Sequence, residues 1–308
     1  MSLPSRWLAA ALVVIGLAVP TTAHAIITRD DVPDSEYLVP DADEPALVDL
    51  FGPGDCIGTL IAPSFVLTVA HCAEDMHAGA TLVVSGVEHD VAEVILHPKW
   101  KHFTYDVALI RFEVPVTGVD PIPFYRDRDE EGRTITLFGR GVHGTGLVGE
   151  HGGTDDGKLR HATNVVTNAN DQWIEVFFEH PDDPGVTPLE GVGAAGDSGA
   201  PAFIETADGR FIAGLNSWGD AHPYSDIGKY GAWDDSTRVS SFAGWIDSEV
   251  GTAPAGSGSD PSPRSTAGCG CDSAPATGAA GWWGALILVA IRRLDARRRS
   301  RRVDAPSS

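Results

Sequence analysis

Between Ile57 and Val69, and again from Thr81 to Ile95, apolar residues come in short runs or alternate with polar ones. β-Branched Val, Ile and Thr are frequent there, and Gly, Pro, Asp and His punctuate the runs, so both stretches read as strands. The same reading gives strands at Val107 to Phe112, Thr134 to Phe138, Ala162 to Val166, Trp173 to Phe178, Ala200 to Ile204 and Phe211 to Ser217. No long segment of 3.6-residue period interrupts them, which removes support from folds that lay helices on a sheet. One exception closes the body: Phe242, Trp245, Ile246 and Val250 recur at helical spacing, and Ser240 or Ser241 can cap the first turn. Many short strands, glycine turns and a single terminal helix predict an all-β body of paired antiparallel barrels or a sandwich. The Gly/His-rich stretch from Arg140 to Gly157 reads as a long surface loop.

The ends follow a different pattern. Residues 1–25 carry Arg6, an apolar run from Trp7 to Val19, the breaker Pro20 and the small-x-small sequence Ala23-His24-Ala25, the layout of a cleaved export signal. Residues 251–268 are Gly, Pro, Ser and Ala with almost nothing bulky, and a flexible tether is expected there. Residues 269–308 hold Cys269-Gly-Cys271, an apolar run from Ala279 to Ile291, and seven arginines between Arg292 and Arg302. That run is 13 residues long, short of the roughly 17 to 25 of a spanning helix, so a permanent span is marginal. The arrangement resembles the myxobacterial C-terminal sorting tail, which implies processing and surface anchoring at Cys269 and Cys271. A plain membrane anchor with its arginines on the inner side is the other reading.

Charge narrows the class of partner. The 308-residue chain has 22 basic and 43 acidic side chains, a net of −21, and residues 26–250 alone have 13 against 39, a net of −26. Such a surface repels phosphate backbones and anionic membranes, which argues against a nucleic-acid partner. Four cysteines are present, two of them in the tail, so the body holds one possible pair, Cys56 and Cys72. In an exported protein this pair reads as a disulfide, because zinc needs four ligands and no CxxC or HxxxH spacing accompanies it. Asp127 to Gly132 begins like a calcium loop, but its twelfth position is Phe138 where a bidentate Glu is required, so a solvated acidic turn is expected. No metal and no cofactor is expected.

Three segments carry candidate chemistry. Thr68-Val69-Ala70-His71-Cys72 puts an imidazole at the end of a strand; Tyr105-Asp106-Val107 puts a carboxylate just before an apolar one; Gly196-Asp197-Ser198-Gly199 puts a serine in a tight glycine-flanked turn. An alcohol is a poor nucleophile until an imidazole takes its proton and a carboxylate orients that imidazole. Glycines beside the serine let backbone N–H groups approach a developing oxyanion. The chain order is His, Asp, Ser, which differs from that of subtilisin-type enzymes and of α/β-hydrolases.

These three motifs, in this order, resemble those of the trypsin/chymotrypsin-like serine peptidases over Ile26 to about Val250, as do the Cys56 to Cys72 interval and Asn216-Ser217-Trp218-Gly219. The resemblance implies two antiparallel Greek-key β-barrels, over roughly residues 26–130 and 131–238, and a C-terminal α-helix at 240–250. It implies His71 as general base, Asp106 as its orienting group, Ser198 as nucleophile, and the N–H groups of Gly196 and Ser198 as oxyanion hole. It further implies Ser217, Trp218 and Gly219 as the substrate-binding strand, and an ammonium at Ile26 paired with Asp197 once the signal is removed, although Thr28-Arg29 stands where the family has Gly-Gly. Val192 occupies the pocket floor, so a neutral P1 side chain is expected, although Asp220, Asp234 or Asp235 can also reach the pocket. Ala194 stands where the family often has a cysteine, and Ala200 replaces a glycine. The expected activity is cleavage of protein or peptide substrates by a monomer; a non-catalytic binding module of the same fold, or an esterase, are the alternatives.

Overall fold

The computed structural model describes residues 26–154, 156–220 and 227–252. Expectations for the export signal, for the tether beyond Thr252, and for Cys269 and Cys271 fall outside the described residues.

The described residues form two six-stranded antiparallel sheets, a small three-stranded ribbon and a closing helix. The first sheet has the order Leu47–Asp49, Ile57–Ala62, Phe65–Thr68, Ala108–Phe112, Val87–Leu96, Thr81–Val84. It curls until its two edge strands meet. The second is a closed barrel of Arg160–Ala169, Trp173–Phe177, Trp233–Arg238, Gly209–Asp220, Pro201–Thr206 and Thr134–Gly139. Together they form the expected two-barrel, all-β architecture. Both long runs read as strands from the sequence are hairpins, turning at Pro63-Ser64 and at Ser85-Gly86.

The helix Val239–Thr252 buries Phe242 and Ile246 in the core of the first sheet, where Leu60, Val66, Leu109 and Phe112 also lie. Phe138, Phe203 and Leu215 of the barrel join the same cluster, so the halves share apolar surface. A second cluster fills the barrel and includes Ile26, Ile27, Ile135, Leu137, Ile174 and Val192.

Two local expectations change. The strand before His71 ends at Thr68, and His71 sits in the single helical turn Ala70–Ala73, because the Asp106 carboxylate accepts its backbone N–H and turns the chain away from the sheet. The stretch from Arg140 to Gly157 is only partly surface. Ile27–Thr28 pairs parallel with Gly144–Thr145 and antiparallel with Gly191–Val192, so a three-stranded ribbon buries part of that loop. Fully burying Ile26 and Ile27 is worth roughly 1.5–3 kcal/mol each.

Candidate active site

Asp106 is delivered by a tight connection, with His102, Phe103 and Tyr105 all at positive φ (46°, 63° and 55°). Left-handed backbone costs a non-glycine residue roughly 1–2 kcal/mol, so neighbours must hold the turn. Tyr105 donates its N–H to Gln172 Oε1 at 2.8 Å and stacks on His97 with ring centroids 5.1 Å apart. Asp106 itself is 0% exposed and accepts three hydrogen bonds: His71 N–H at 2.9 Å, His71 Nδ1 at 2.7 Å and Ser217 Oγ at 2.6 Å. Its backbone carbonyl accepts Thr237 Oγ1 at 2.8 Å. Ser217 and Thr237 come from the barrel, so this carboxylate of the first sheet is fixed from both halves.

A carboxylate facing Nδ1 accepts only, so Nδ1 carries the imidazole proton and Nε2 presents a lone pair. Phe103 covers the ring from 5.1 Å. Cys56 and Cys72 form a disulfide, as the sequence predicts. Their sulfurs and His71 are the one group of metal-ligand type among the described residues, but the disulfide consumes both thiols and leaves a single ligand.

The same disulfide links His71 to Ser198. Cys56 donates its N–H to Gly196 O at 3.1 Å, Ile57 donates to Ser198 O at 2.8 Å, and the Cys72 sulfur lies 3.8 Å from that carbonyl. Gly196 and Gly199 have φ of 91° and 80°, and a Cβ at either would collide with the Gly54 or Ile57 carbonyl. Only glycine fits both positions. The N–H groups of Gly196 and Ser198 have no acceptor among the described residues, whereas the Asp197, Gly199 and Ala200 N–H groups bond to Ala194, Asn216 and Asp197 carbonyls. Two donors two residues apart are thereby left without a protein acceptor beside a half-buried serine. No hydrogen bond joins Ser198 Oγ to His71 directly, a contact that in unliganded sites often tightens only with substrate.

Asp197 is 0% exposed and accepts Gly141 N–H at 2.7 Å, Ile26 N–H at 2.9 Å and Ala194 N–H at 3.0 Å. Burial pushes its carboxyl up to about 7. Val192 packs into the barrel core beside Ile27. Ser217 is buried against Asp106, Trp218 is 40% exposed with its ring edge-on to Trp173, and Gly219 pairs across the sheet with Asp234. Asp234 is buried, accepts Gly193 N–H at 2.9 Å and Asn216 Nδ2 at 3.1 Å, and is pushed up to about 6 by burial. The side chain of Asp220 lies outside the described set, and Asp235 is buried on the same strand as Asp234.

The sequence reading left the supporting residues unassigned. Gln172 steadies the turn before Asp106, Gly141 supports Asp197, and Glu150 accepts the Ala195 N–H next to Gly196. Each acts through a contact 45 or more residues distant in the chain, and no local pattern announces it.

Paired barrels, a carboxylate-bound imidazole and a glycine-flanked serine are the parts from which one class of nucleophilic hydrolases builds a Ser-His-Asp triad. Residues 39–246 match the family model described as Trypsin. The chain belongs to the trypsin family of serine peptidases. It is 28% identical over 223 residues to the serine proteinase stubble of Drosophila melanogaster, an alignment covering 63% of this chain and 27% of that protein. It is 27% identical over 221 residues to vitamin K-dependent protein C of Mus musculus, covering 64% of this chain and 46% of that protein. The chain therefore spans less than half the length of these relatives.

Proposed function

We propose that this protein is a serine endopeptidase acting on protein or peptide substrates through Ser198, His71 and Asp106. The observation that carries the reading is the buried Asp106 carboxylate 2.7 Å from His71 Nδ1, set beside a serine turn with two unused N–H donors. Ser198 Oγ attacks the peptide carbonyl as His71 Nε2 takes its proton. The oxyanion is held by the Gly196 and Ser198 N–H groups, and His71 then protonates the leaving amine. Water, deprotonated by the same nitrogen, releases the acyl group. No cofactor enters this sequence.

Removal of residues 1–25 makes the Ile26 nitrogen an ammonium 2.9 Å from Asp197 Oδ2. An adjacent cation favours the ionised carboxylate and offsets its burial, so the turn carrying Ser198 is braced by an ion pair. Export follows from the signal-like segment, and Cys269 and Cys271 are the proposed points of processing and envelope anchoring. Among the described residues no helix is long and apolar enough to cross a membrane.

Val192 supports a neutral P1 preference. A basic P1 is the second reading, favoured by Asp234, whose carboxylate lies behind the substrate-binding strand. A peptide library separates them: dominant cleavage after Lys or Arg assigns the pocket to Asp234, and cleavage after apolar or small residues assigns it to Val192. The reaction itself is tested by incubating wild type and Ser198→Ala with a fluorophosphonate probe and mapping the adduct. Labelling confined to wild-type Ser198 is expected. A folded wild-type protein with a sequenced Ile26 terminus that takes no label belongs to the binding-module alternative.

A further inference from the structure

Among the described residues the largest fully buried side chain is a cation, Arg160, at the first position of the barrel strand Arg160–Ala169. Its guanidinium is gripped by two carboxylates at once. Asp34 accepts from Nε at 2.8 Å and Nη2 at 3.0 Å, and Asp156 accepts from Nη1 at 2.8 Å and Nη2 at 2.9 Å. These are two planar forks on one guanidinium, the geometry that makes arginine specific for carboxylates. A buried guanidinium is costly unless both its charge and its donors are met. Asp34 belongs to the segment that begins at Ile26, eight residues earlier.

That segment has no covalent tie. The disulfide among the described residues joins Cys56 to Cys72 and leaves residues 26–49 untouched. Arginines meet the segment instead. Besides Arg160, Arg140 pairs with Asp41 at 2.9 Å and Asp49 at 3.2 Å, and Arg210 forks onto Glu44 at 2.6 and 2.7 Å. Three of the 13 basic residues in a strongly acidic body are thus spent on one stretch of chain. Around Arg160 the contact is continuous: Val39 donates to Leu159 O at 2.9 Å, His161 donates to Tyr37 O at 2.9 Å, and His143 Nε2 lies 3.3 Å from Asp34 Oδ1. His143 immediately precedes Gly144, which pairs with Ile27. The clamp and the ribbon that seats Ile26 are therefore neighbours.

We propose that Arg160, held between Asp34 and Asp156, is a positioning residue that docks the N-terminal segment and so sets the Ile26 nitrogen against Asp197. It acts through Asp34, then Ile26, then Asp197, and never touches substrate. Releasing Asp34 leaves residues 26–37 held by the Ile26 ribbon, by Arg29 Nη1 on the Thr187 carbonyl, by Asp30 against Tyr230 and by buried Tyr37. With its charged clamp gone the segment undocks, and the Ser198 turn loses its brace, in a fraction of molecules. Its catalytic readout rests on the serine-peptidase reading; the docking itself does not.

The test uses the full chain after its N-terminus has been sequenced, with Asp34→Asn, which keeps the shape and removes the charge, and Asp156→Asn, which loosens Arg160 without altering the segment. Hydrogen exchange of residues 26–37 is followed alongside kcat, KM and rescue by a free Ile-Ile-Thr peptide. Asp34→Asn is expected to expose residues 26–37 selectively and lower kcat at least roughly ten-fold with KM little changed, as a population shift between docked and undocked segments requires. Millimolar peptide restores much of the activity by filling the vacated position, and Asp156→Asn shows a smaller effect of the same kind. Should Asp34→Asn fail to fold, Arg160→Lys, which keeps the charge but loses the fork, carries the same measurements. Wild-type exchange and kcat in Asp34→Asn overturn the proposal, and so does a uniform loss of protection in both halves with no rescue. Selective release of residues 26–37 in a protein whose wild type takes no fluorophosphonate sustains the clamp and sinks the peptidase reading instead.

Discussion

The half that carries His71 and Asp106 and the half that carries Ser198 have different interiors. Among described residues 45–125, Asp106 is the one buried charged side chain, and apart from Thr59 and Thr68 the other buried side chains are apolar, with the Cys56–Cys72 disulfide at the edge. Residues 126–240 bury Glu130, Arg160, Glu190, Asp197, Asp234 and Arg238, among others. An apolar core rewards any arrangement of about the right volume, whereas a buried charge tolerates only the geometry that pairs it. The first half is thus a stable platform for one imidazole. The second half spends its buried charges on fixing loops: Asp197 the turn that carries Ser198, Arg160 the N-terminal segment, Asp234 the strand behind Gly219.

The largest effect expected of any change that breaks this contrast falls on Asp106, the one buried charge among described residues 45–125. Asp106→Asn keeps the volume but leaves His71 in the wrong tautomer, and kcat should fall about 10⁴-fold while the thermal midpoint moves little. A loss below ten-fold would mean that Asp106 does not orient the base. Next comes a charge of the second half. Arg238→Met strips the fork from Glu130, which is 0% exposed and whose carboxylate otherwise accepts, among the described residues, only Ser240 Oγ at 2.6 Å, and urea unfolding should show a loss of about 3–5 kcal/mol. Adding Glu130→Leu should recover most of it, since a well-packed apolar pair replaces an ion pair at little cost.

The covalent feature of the first half ranks third. Replacing Cys56 and Cys72 together by Ser opens a loop of sequence separation 16 and should cost about 3 kcal/mol by denaturant unfolding. Smallest, but sharpest in sign, is Glu190→Gln. Burial, reinforced by a hydrogen bond with the Glu179 carboxyl, pushes Glu190 up to about 8, and its Oε2 accepts the Thr187 N–H and hydroxyl. A carboxyl raised in the fold is favoured while protonated, so its contribution is complete at acid pH and is lost as pH rises from the ordinary glutamate range through about 8. Glutamine does not titrate. The thermal midpoint of Glu190→Gln relative to wild type should therefore climb between pH 5 and 8; a constant difference across that window would remove the Glu179–Glu190 interaction from the account.

Much of this was legible in the chain. Alternation and glycine punctuation marked eight strand regions and the closing helix, because a pleat repeats every two residues and a helix every 3.6. His71, Asp106 and Ser198 stood out because their flanking residues belong to the local chemistry of each: a cysteine, an apolar strand, a pair of glycines. The strand Leu47–Asp49 went unmarked because three residues carry no period, and the strand Trp233–Arg238 because Asp234 and Asp235 look like a turn until their partners are known.

By itself, the sequence determined the periodicities, the pairing partner of Cys56, the charge of the body and the three candidate side chains His71, Asp106 and Ser198. Each of these depends on residues close together in the chain or on simple counts. Only the tertiary structure decided that Asp106 is held by Ser217, that Asp197 meets Ile26 across 171 residues, and that Asp34 and Asp156 converge on Arg160. A buried charge is tolerated where distant segments bring it a partner, and those meetings follow from how strands register across two barrels rather than from any pattern along one of them.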